Sequence, residues 1–360
     1  MDINVLLGLL LNMQSSTRSY ILAYEALLSD VDEHDEKTNR SRYFDRDLSF
    51  RFDVFALNEN KCRDRFRFRA DEIASIVQVM QLPAVFRLGN GMQVDSVEGF
   101  CLVLRRLAFP NRLCELQHEF QRHESILSRI FNTVLLYIAR KYKRIIKFHP
   151  SMSSQTILSF ARHITNRWPP VERVWAFIDG SKQYICRPST GQRAAYSGHK
   201  RSHCFGWQAV VTPDGLVSAL AGPYAGSFND LTMLRRSKLF QKLQPIDFIS
   251  GEQYSMYGDG GYMLSRQLSV PFQNPATAAE RSFNHCMSSL RVSVENIFAT
   301  AHRLWSFQRF KSQQKALLQP VCEYYRVSIL LTNIHTIVKQ GNQVSSYFGV
   351  TPMPLHEYLS

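Results

Sequence analysis

Three acidic residues stand where carboxylate chemistry is available to the chain. Asp179 closes the apolar run Val174-Trp175-Ala176-Phe177-Ile178 and is followed by Gly180. Asp259 sits in Tyr257-Gly258-Asp259-Gly260-Gly261-Tyr262, and Glu295 lies in the helical pattern Leu290-Arg291-Val292-Ser293-Val294-Glu295-Asn296-Ile297-Phe298. A carboxylate with Gly after it, at the end of a short apolar strand, marks a sheet edge that a ligand can approach. Two such strand ends and one helical Glu can hold a pair of divalent ions, the apparatus for in-line displacement at phosphorus. Each acid also has a plainer reading. Asp179 and Asp259 could be turn residues. Arg291, four positions before Glu295, could pair with it on an exposed helix face. Against that, Val294, Ile297, Phe298, Ala301, Leu304 and Trp305 form an apolar stripe with Glu295 at its border.

The elements that must position these acids follow from periodicity and punctuation. Residues 1–30 read as one amphipathic helix, followed by an acidic run at 30–36 and a basic, aromatic stretch to 69. Within that stretch Arg63-Asp64-Arg65-Phe66-Arg67-Phe68-Arg69 alternates, as an edge strand, an extended arm or a phosphate-lining segment would. Asp71 to Met80 reads as a helix, Asp95-Ser96-Val97-Glu98 as a capping box, Arg112 to Gln121 as a short helix and Ser125 as the cap of a longer one. That longer helix carries an apolar stripe of Leu127, Ile130, Phe131, Val134, Leu135 and Ile138. Three helices with tight turns fit a helix-turn-helix arrangement, although most such units bind nothing. After His149-Pro150 a helix at 154–166 precedes strands at 174–178, 204–211 and 216–221, with a turn at Thr212-Pro213-Asp214-Gly215. A helix from Asn229 toward Leu243, a strand running to Asp259 and helices at 284–305 and 320–338 complete the pattern. Strand, strand, strand, helix, strand, helix is the order of an RNase H-like core. The expected fold is therefore α/β: a mixed-sheet core of that kind behind an all-α, helix-turn-helix-like N-terminal domain.

Composition narrows the partners. The 360 residues carry 43 Lys plus Arg against 30 Asp plus Glu, a formal net charge of +13 that favours a polyanion such as nucleic acid. Candidate phosphate contacts are Arg140, Lys141, Lys143 and Arg144, which also suit a helix C-terminus, together with Lys200 and Arg201. Seven scattered cysteines without a C-x-x-C pair argue against a disulfide framework and fit a reducing compartment. His199-Lys200-Arg201-Ser202-His203-Cys204 has metal-like residues, but its two cations make it a basic loop leading into a strand rather than a zinc site. The apolar run Val5 to Leu11 falls far short of the roughly 20 residues that span a bilayer, so no membrane partner is expected. No glycine-rich phosphate loop ending in Gly-Lys-Ser or Gly-Lys-Thr is present, which argues against ATP as an energy source.

Residues 174–310 resemble the PIF/Harbinger group of DDE transposases, which includes the domesticated Harbinger-derived nucleases. The resemblance rests on Phe177-Ile178-Asp179-Gly180, on His203-Cys204-Phe205-Gly206-Trp207-Gln208-Ala209-Val210-Val211 and on Gly222-Pro223-Tyr224-Ala225-Gly226-Ser227-Phe228-Asn229-Asp230. It continues through the Asp259 motif and Arg291 to Phe298, and more loosely over 70–147 and from Leu331-Thr332-Asn333 to Tyr358. It implies that Asp179, Asp259 and Glu295 are catalytic and that all three, with Asp230, bind Mg²⁺ or Mn²⁺. Asp230 could equally be a helix-start residue offsetting the dipole. It further implies double-stranded DNA as partner, at element ends and target, a Myb-like helper protein, room for an oligomer, and the nucleus as location, or the cytoplasm where no helper is present. The chain departs from the pattern at Phe298-Ala299, where Phe-Gly is usual, and at Asn229, where a His is usual.

The expected organisation is an N-terminal helix and basic-aromatic arm at 1–69, a helical DNA-binding region at 70–150, an RNase H-like DDE nuclease domain at 151–340 and a tail at 341–360. Two functions stay open. One is metal-dependent cleavage and joining of DNA. The other is a domesticated DNA-binding protein without cleavage. The intact acids favour the first, since carboxylates held beside phosphates repel DNA unless metal is present.

Overall fold

The computed structural model describes residues 52–88, 91–169, 171–316 and 318–360, with the side chains of 289–294 also left outside. The helix expected at 1–30, the acidic run at 30–36 and the first arginines of the basic stretch lie outside the described residues. Contacts divide the chain into two units, one of residues 1–141, 185–191 and 304–328, the other of 142–184, 192–303 and 329–360.

The first unit contains helices α1 (Glu59–Phe66) and α2 (Ala70–Val79), the antiparallel ribbon β1 (Val85–Arg87) and β2 (Gln93–Asp95), and helices α3 (Ser96–Ala108), α4 (Leu113–Phe120) and α5 (Glu124–Lys141). The arginine-rich run is a helix and its end, not an edge strand or an extended arm. Asn58 Oδ1 accepts from the Lys61 amide at 2.8 Å and starts α1, and Cys62 and Phe66, four apart, are its buried face. The arginines are taken up internally: Arg63 pairs with Glu59, Arg65 with Glu119 and Arg69 with Asp71. Arg67, left-handed at φ 69°, ends α1 and donates to the carbonyls of Asp64, Ala108 and Leu304.

Asp95 does cap α3, its Oδ1 accepting from the Val97 amide at 2.8 Å, but the box stays open because Glu98 pairs with Arg122. The cap of α5 is His123 rather than Ser125: His123 Nδ1 lies 3.3 Å from the Ser125 amide, and its carbonyl accepts from Leu127. All six residues of the expected α5 stripe are buried, and α5 packs on α3 and α4.

The second unit is a mixed α/β fold on a mixed sheet, compatible with an RNase H-like core. Helices α6 (Lys143–Lys147) and α7 (Ser154–Arg167) precede β3 (Val174–Tyr184), α8 (Gln192–Ala195), β4 (Tyr196–Ser197), β5 (Ser202–Val211) and β6 (Val217–Ala225). Then come α9 (Asp230–Ser237), α10 (Leu239–Leu243), a ribbon of β7 (Phe248–Ile249) and β8 (Glu252–Gln253), β9 (Ser255–Tyr257), β10 (Leu268–Ser269) and α11 (Ala278–Leu304). The chain ends with α12 (Val321–Val338), α13 (Gln343–Phe348) and α14 (Leu355–Tyr358).

The strand order is β10-β9-β3-β5, with β6 along β5 from Phe205 to Val211 and β4 taking its first two residues. β3 runs antiparallel to β5 and parallel to β9. The helix expected to extend from Asn229 to Leu243 breaks at Lys238, whose φ is 54°. Trp175, Ala176, Ile178, Val210 and Met256 of the sheet pack with Ile157 and Phe160 of α7 and with Leu234, Leu239 and Leu243 of α9 and α10. This burial explains why Val174–Ile178 reads as an unbroken apolar run rather than an alternating one. The final segment is fastened to the same unit. Asn333 accepts from the Val217 amide at 3.0 Å, donates to its carbonyl at 2.9 Å and donates to the Tyr358 hydroxyl at 2.8 Å. Among the described residues no helix is long and apolar enough to cross a membrane.

Candidate active site

The two strand-end acids are positioned by one parallel pairing. Phe177 of β3 lies opposite Tyr257 of β9, and two residues on in each chain come Asp179 and Asp259. The expectation that Asp179 closes its strand needs correction. β3 continues to Tyr184, and Asp179 pairs with Ala209 inside the β3–β5 ladder. What ends there is the pairing with β9, so the opening lies on the Asp259 side. Asp259 then turns the chain: its Oδ1 accepts from the Gly261 amide at 3.0 Å, and its carbonyl accepts from the Tyr262 amide at 3.1 Å.

Asp230 arrives from the start of α9, where Asn229 Oδ1 accepts from the Thr232 amide at 2.9 Å. Two glycines let this helix approach the sheet. A Cβ on Gly180 would lie 2.0 Å from Asp230 Oδ1, and one on Gly206 would lie 2.6 Å from Met233 Sδ. Asp230 and Asp259 flank Gly261, whose Cβ would stand 3.1 Å from Asp259 Oδ1 and 3.7 Å from Asp230 Oδ2. Asp179, Asp230 and Asp259 are all half-buried. Burial raises the Asp230 pKa, and the negative charge of Asp259 adds to it, while Lys182 and Lys200 pull the other way.

Tyr262, three residues after Asp259, is buried in the hydrophobic core of this unit. Its hydroxyl pKa is pushed well above the ordinary value by burial, then by the charges of Asp230, Asp179 and Asp259. Gln208, also buried, donates from Nε2 to the Tyr262 hydroxyl at 3.0 Å and to the Asp230 carbonyl at 3.3 Å. Gln208 Oε1 is buried without a hydrogen-bond partner. Lys182 Nζ donates to the Phe228 carbonyl at 2.9 Å, bracing the segment that leads into Asp230.

Sequence reasoning gave no role to Gln208, Tyr262 or Lys182. A signal existed for Lys182, since period-two alternation on β3 puts it on the face of Gly180, toward α9. Gln208 owes its place to its register opposite Gly180 on a strand distant in sequence.

Glu295 comes from α11, an element apart from the strands and the helix start that carry the other acids. It is exposed on α11, while Ile297, Phe298 and Ala301 are buried. The proposed pairing with Arg291 and the burial of Val294 lie outside the described side chains. Of the phosphate candidates, Arg144, Lys200 and Arg201 are exposed, Lys143 is half-buried, and Arg140 is exposed at the end of α5. Lys141 is engaged within its own unit, where Nζ donates to the carbonyls of Met80 at 2.9 Å and Gln81 at 2.7 Å and closes the C-terminus of α2. Lys200 and Arg201 lie in the turn between β4 and β5, the basic loop expected there.

Among the described residues no three His, Cys, Asp or Glu side chains stand close enough together to hold one ion. The donor types nevertheless suit a hard divalent cation. The charge of Asp259 raises the cost of ionising Asp230, which a cation would relieve, and the unpartnered Gln208 Oε1 adds a neutral oxygen on the neighbouring strand.

Residues 178–333 match the family model described as DDE superfamily endonuclease. No curated protein and no solved structure matches the chain. The matched region contains Asp179, Asp230, Asp259 and Glu295, so the part of the chain that carries these acids is similar to DDE superfamily endonucleases.

Proposed function

We propose that the second unit is a metal-dependent DNA endonuclease of the PIF/Harbinger kind, cutting and joining phosphodiesters at element ends and target. Asp179, Asp230, Asp259 and Glu295 are its carboxylates. The observation that carries this reading is the approach of Asp230 and Asp259 around Gly261, beside Tyr262, inside a region matching DDE endonucleases. Mg²⁺ or Mn²⁺, when bound, would make the attacking water or 3′-hydroxyl more acidic and offset charge on the leaving oxygen. Asp230 and Asp259 would hold the cation, with Asp179 at the adjoining position of β3. Glu295 completes the set by its place in the motif. Lys182 keeps the Gly226–Phe228 segment against β3, so the start of α9 stays on Gly180. Lys200 and Arg201, in an exposed turn, offer phosphate contacts, and α3–α5 offer a helix-turn-helix-like surface for duplex DNA. A Myb-like helper and nuclear residence belong to the same reading.

The exposure of Glu295 favours a second reading, a DNA-binding protein derived from such an enzyme that no longer cuts. Incubation of the full chain with supercoiled plasmid carrying candidate terminal repeats, in Mn²⁺ and with helper supplied, separates the two. Nicked or linear product supports the endonuclease. A gel shift without product supports the binder.

A further inference from the structure

One buried amide ties together the elements that carry the acids. Gln208 stands on β5 opposite Gly180 of β3, donates to the carbonyl of Asp230 at the start of α9, and donates to the hydroxyl of Tyr262 in the turn that begins at Asp259. The orientation of the amide is fixed by chemistry: the Asp230 carbonyl can only accept, so the nitrogen must face it. Tyr262 therefore receives a hydrogen bond from Gln208 and keeps its own proton to give. Its ring is held in place as well, since it is 4 % exposed and a Cβ on Gly258 would stand 2.7 Å from its Cδ2.

We infer that Gln208 and Tyr262 form a positioning pair that sets the spacing of Asp230 and Asp259 for a divalent cation, Gln208 tying the start of α9 to the turn that begins at Asp259. The inference rests on the endonuclease reading above and adds two residues to its site. Neither is a catalytic residue in the sense of touching DNA. They act through the carboxylates, as partners that orient metal ligands do elsewhere.

The test is Mn²⁺ titration of the full chain by calorimetry without DNA, with thermal unfolding in parallel. Tyr262→Phe removes one oxygen from a ring whose packing is otherwise kept. Its Mn²⁺ affinity should fall about 10- to 100-fold, with little change in unfolding temperature in the absence of metal. Gln208→Met should do the same by a different route, since it keeps the side-chain length and removes the donor to both the Tyr262 hydroxyl and the Asp230 carbonyl. If either variant proves unstable, the other still decides. Unchanged Mn²⁺ affinity in both variants, with binding abolished in Asp259→Asn, overturns the positioning pair and leaves the endonuclease reading standing. An absence of Mn²⁺ binding by the wild-type chain overturns both.

Discussion

Gly180 and Asp230 are in contact distance across the junction of β3 and α9, and only the missing side chain of Gly180 makes room for the carboxylate. A methyl group at Gly180 would fall 2.0 Å from Asp230 Oδ1 and 3.3 Å from Met233 Cε. The glycine following Asp179 is thus explained by packing of a second acid rather than by turn geometry.

Gly180→Ala should displace Asp230 while leaving the sheet paired. Overpacking of this kind costs about 1–3 kcal/mol, whereas a shift of roughly 1 Å in a reacting group can cost about 10²-fold in rate. Cleavage should therefore drop far more than stability. Plasmid nicking rates beside thermal unfolding check this. Nicking at the wild-type rate would mean that Asp230 is a helix-start residue only.

The basic residues separate into two kinds. Lys200→Ala with Arg201→Ala should flatten the dependence of log affinity on log salt by up to about 1.8 if both touch phosphate. Lys141→Ala should leave that slope alone and lower stability by about 1 kcal/mol, because it removes the donor to the Met80 and Gln81 carbonyls. Fluorescence anisotropy across a salt series and denaturant unfolding check the two halves. A slope change in Lys141→Ala would return that residue to the DNA surface.

His149 gives the fold an acid sensitivity. It is buried, stacks on Tyr358 with ring centroids 4.8 Å apart, and its Nε2 lies 2.9 Å from the Tyr358 carbonyl. Burial lowers its pKa below the usual 6.5, only partly countered by that carbonyl. The unfolded chain then takes up a proton near pH 6.5 while the folded chain stays neutral, so stability falls as pH drops below about 6.5, until the folded pKa is reached. Asp214, whose pKa burial raises, lines the same cavity and contributes the opposite slope. Unfolding midpoints from pH 7.5 down to 5.5 should decline more steeply in wild type than in His149→Phe. Parallel curves would remove His149 as the source.

How much of this was legible in the sequence follows from what kind of signal each feature leaves. β3, β5 and β6 were readable because buried strands write themselves as apolar runs, and α5 because its stripe recurs at helical spacing. The Arg63–Arg69 run misled because alternation of Arg and Phe imitates a strand, while the deciding facts were the Asn58 cap and the burial of Cys62 and Phe66. Ser125 misled because His123 supplies the same acceptor two positions earlier. Asp179 and Asp259 were visible from their flanks, but their relation depends on the pairing of Phe177 with Tyr257. Gln208 was invisible as a site residue, since its function lies in bonds to Asp230 and Tyr262, 22 and 54 positions away.

The central claim is that the carboxylate set cuts DNA, and Asp259→Asn tests it most directly. The substitution keeps the shape of the side chain and removes one negative charge beside Asp230. Wild-type chain and variant are to be compared for nicking of a duplex bearing the terminal repeats in Mg²⁺ or Mn²⁺, with helper protein supplied, and by gel shift in EDTA. Nicking should collapse in Asp259→Asn while metal-free DNA affinity holds or rises, since one source of repulsion from phosphate is gone. Equal nicking by both proteins would contradict the account.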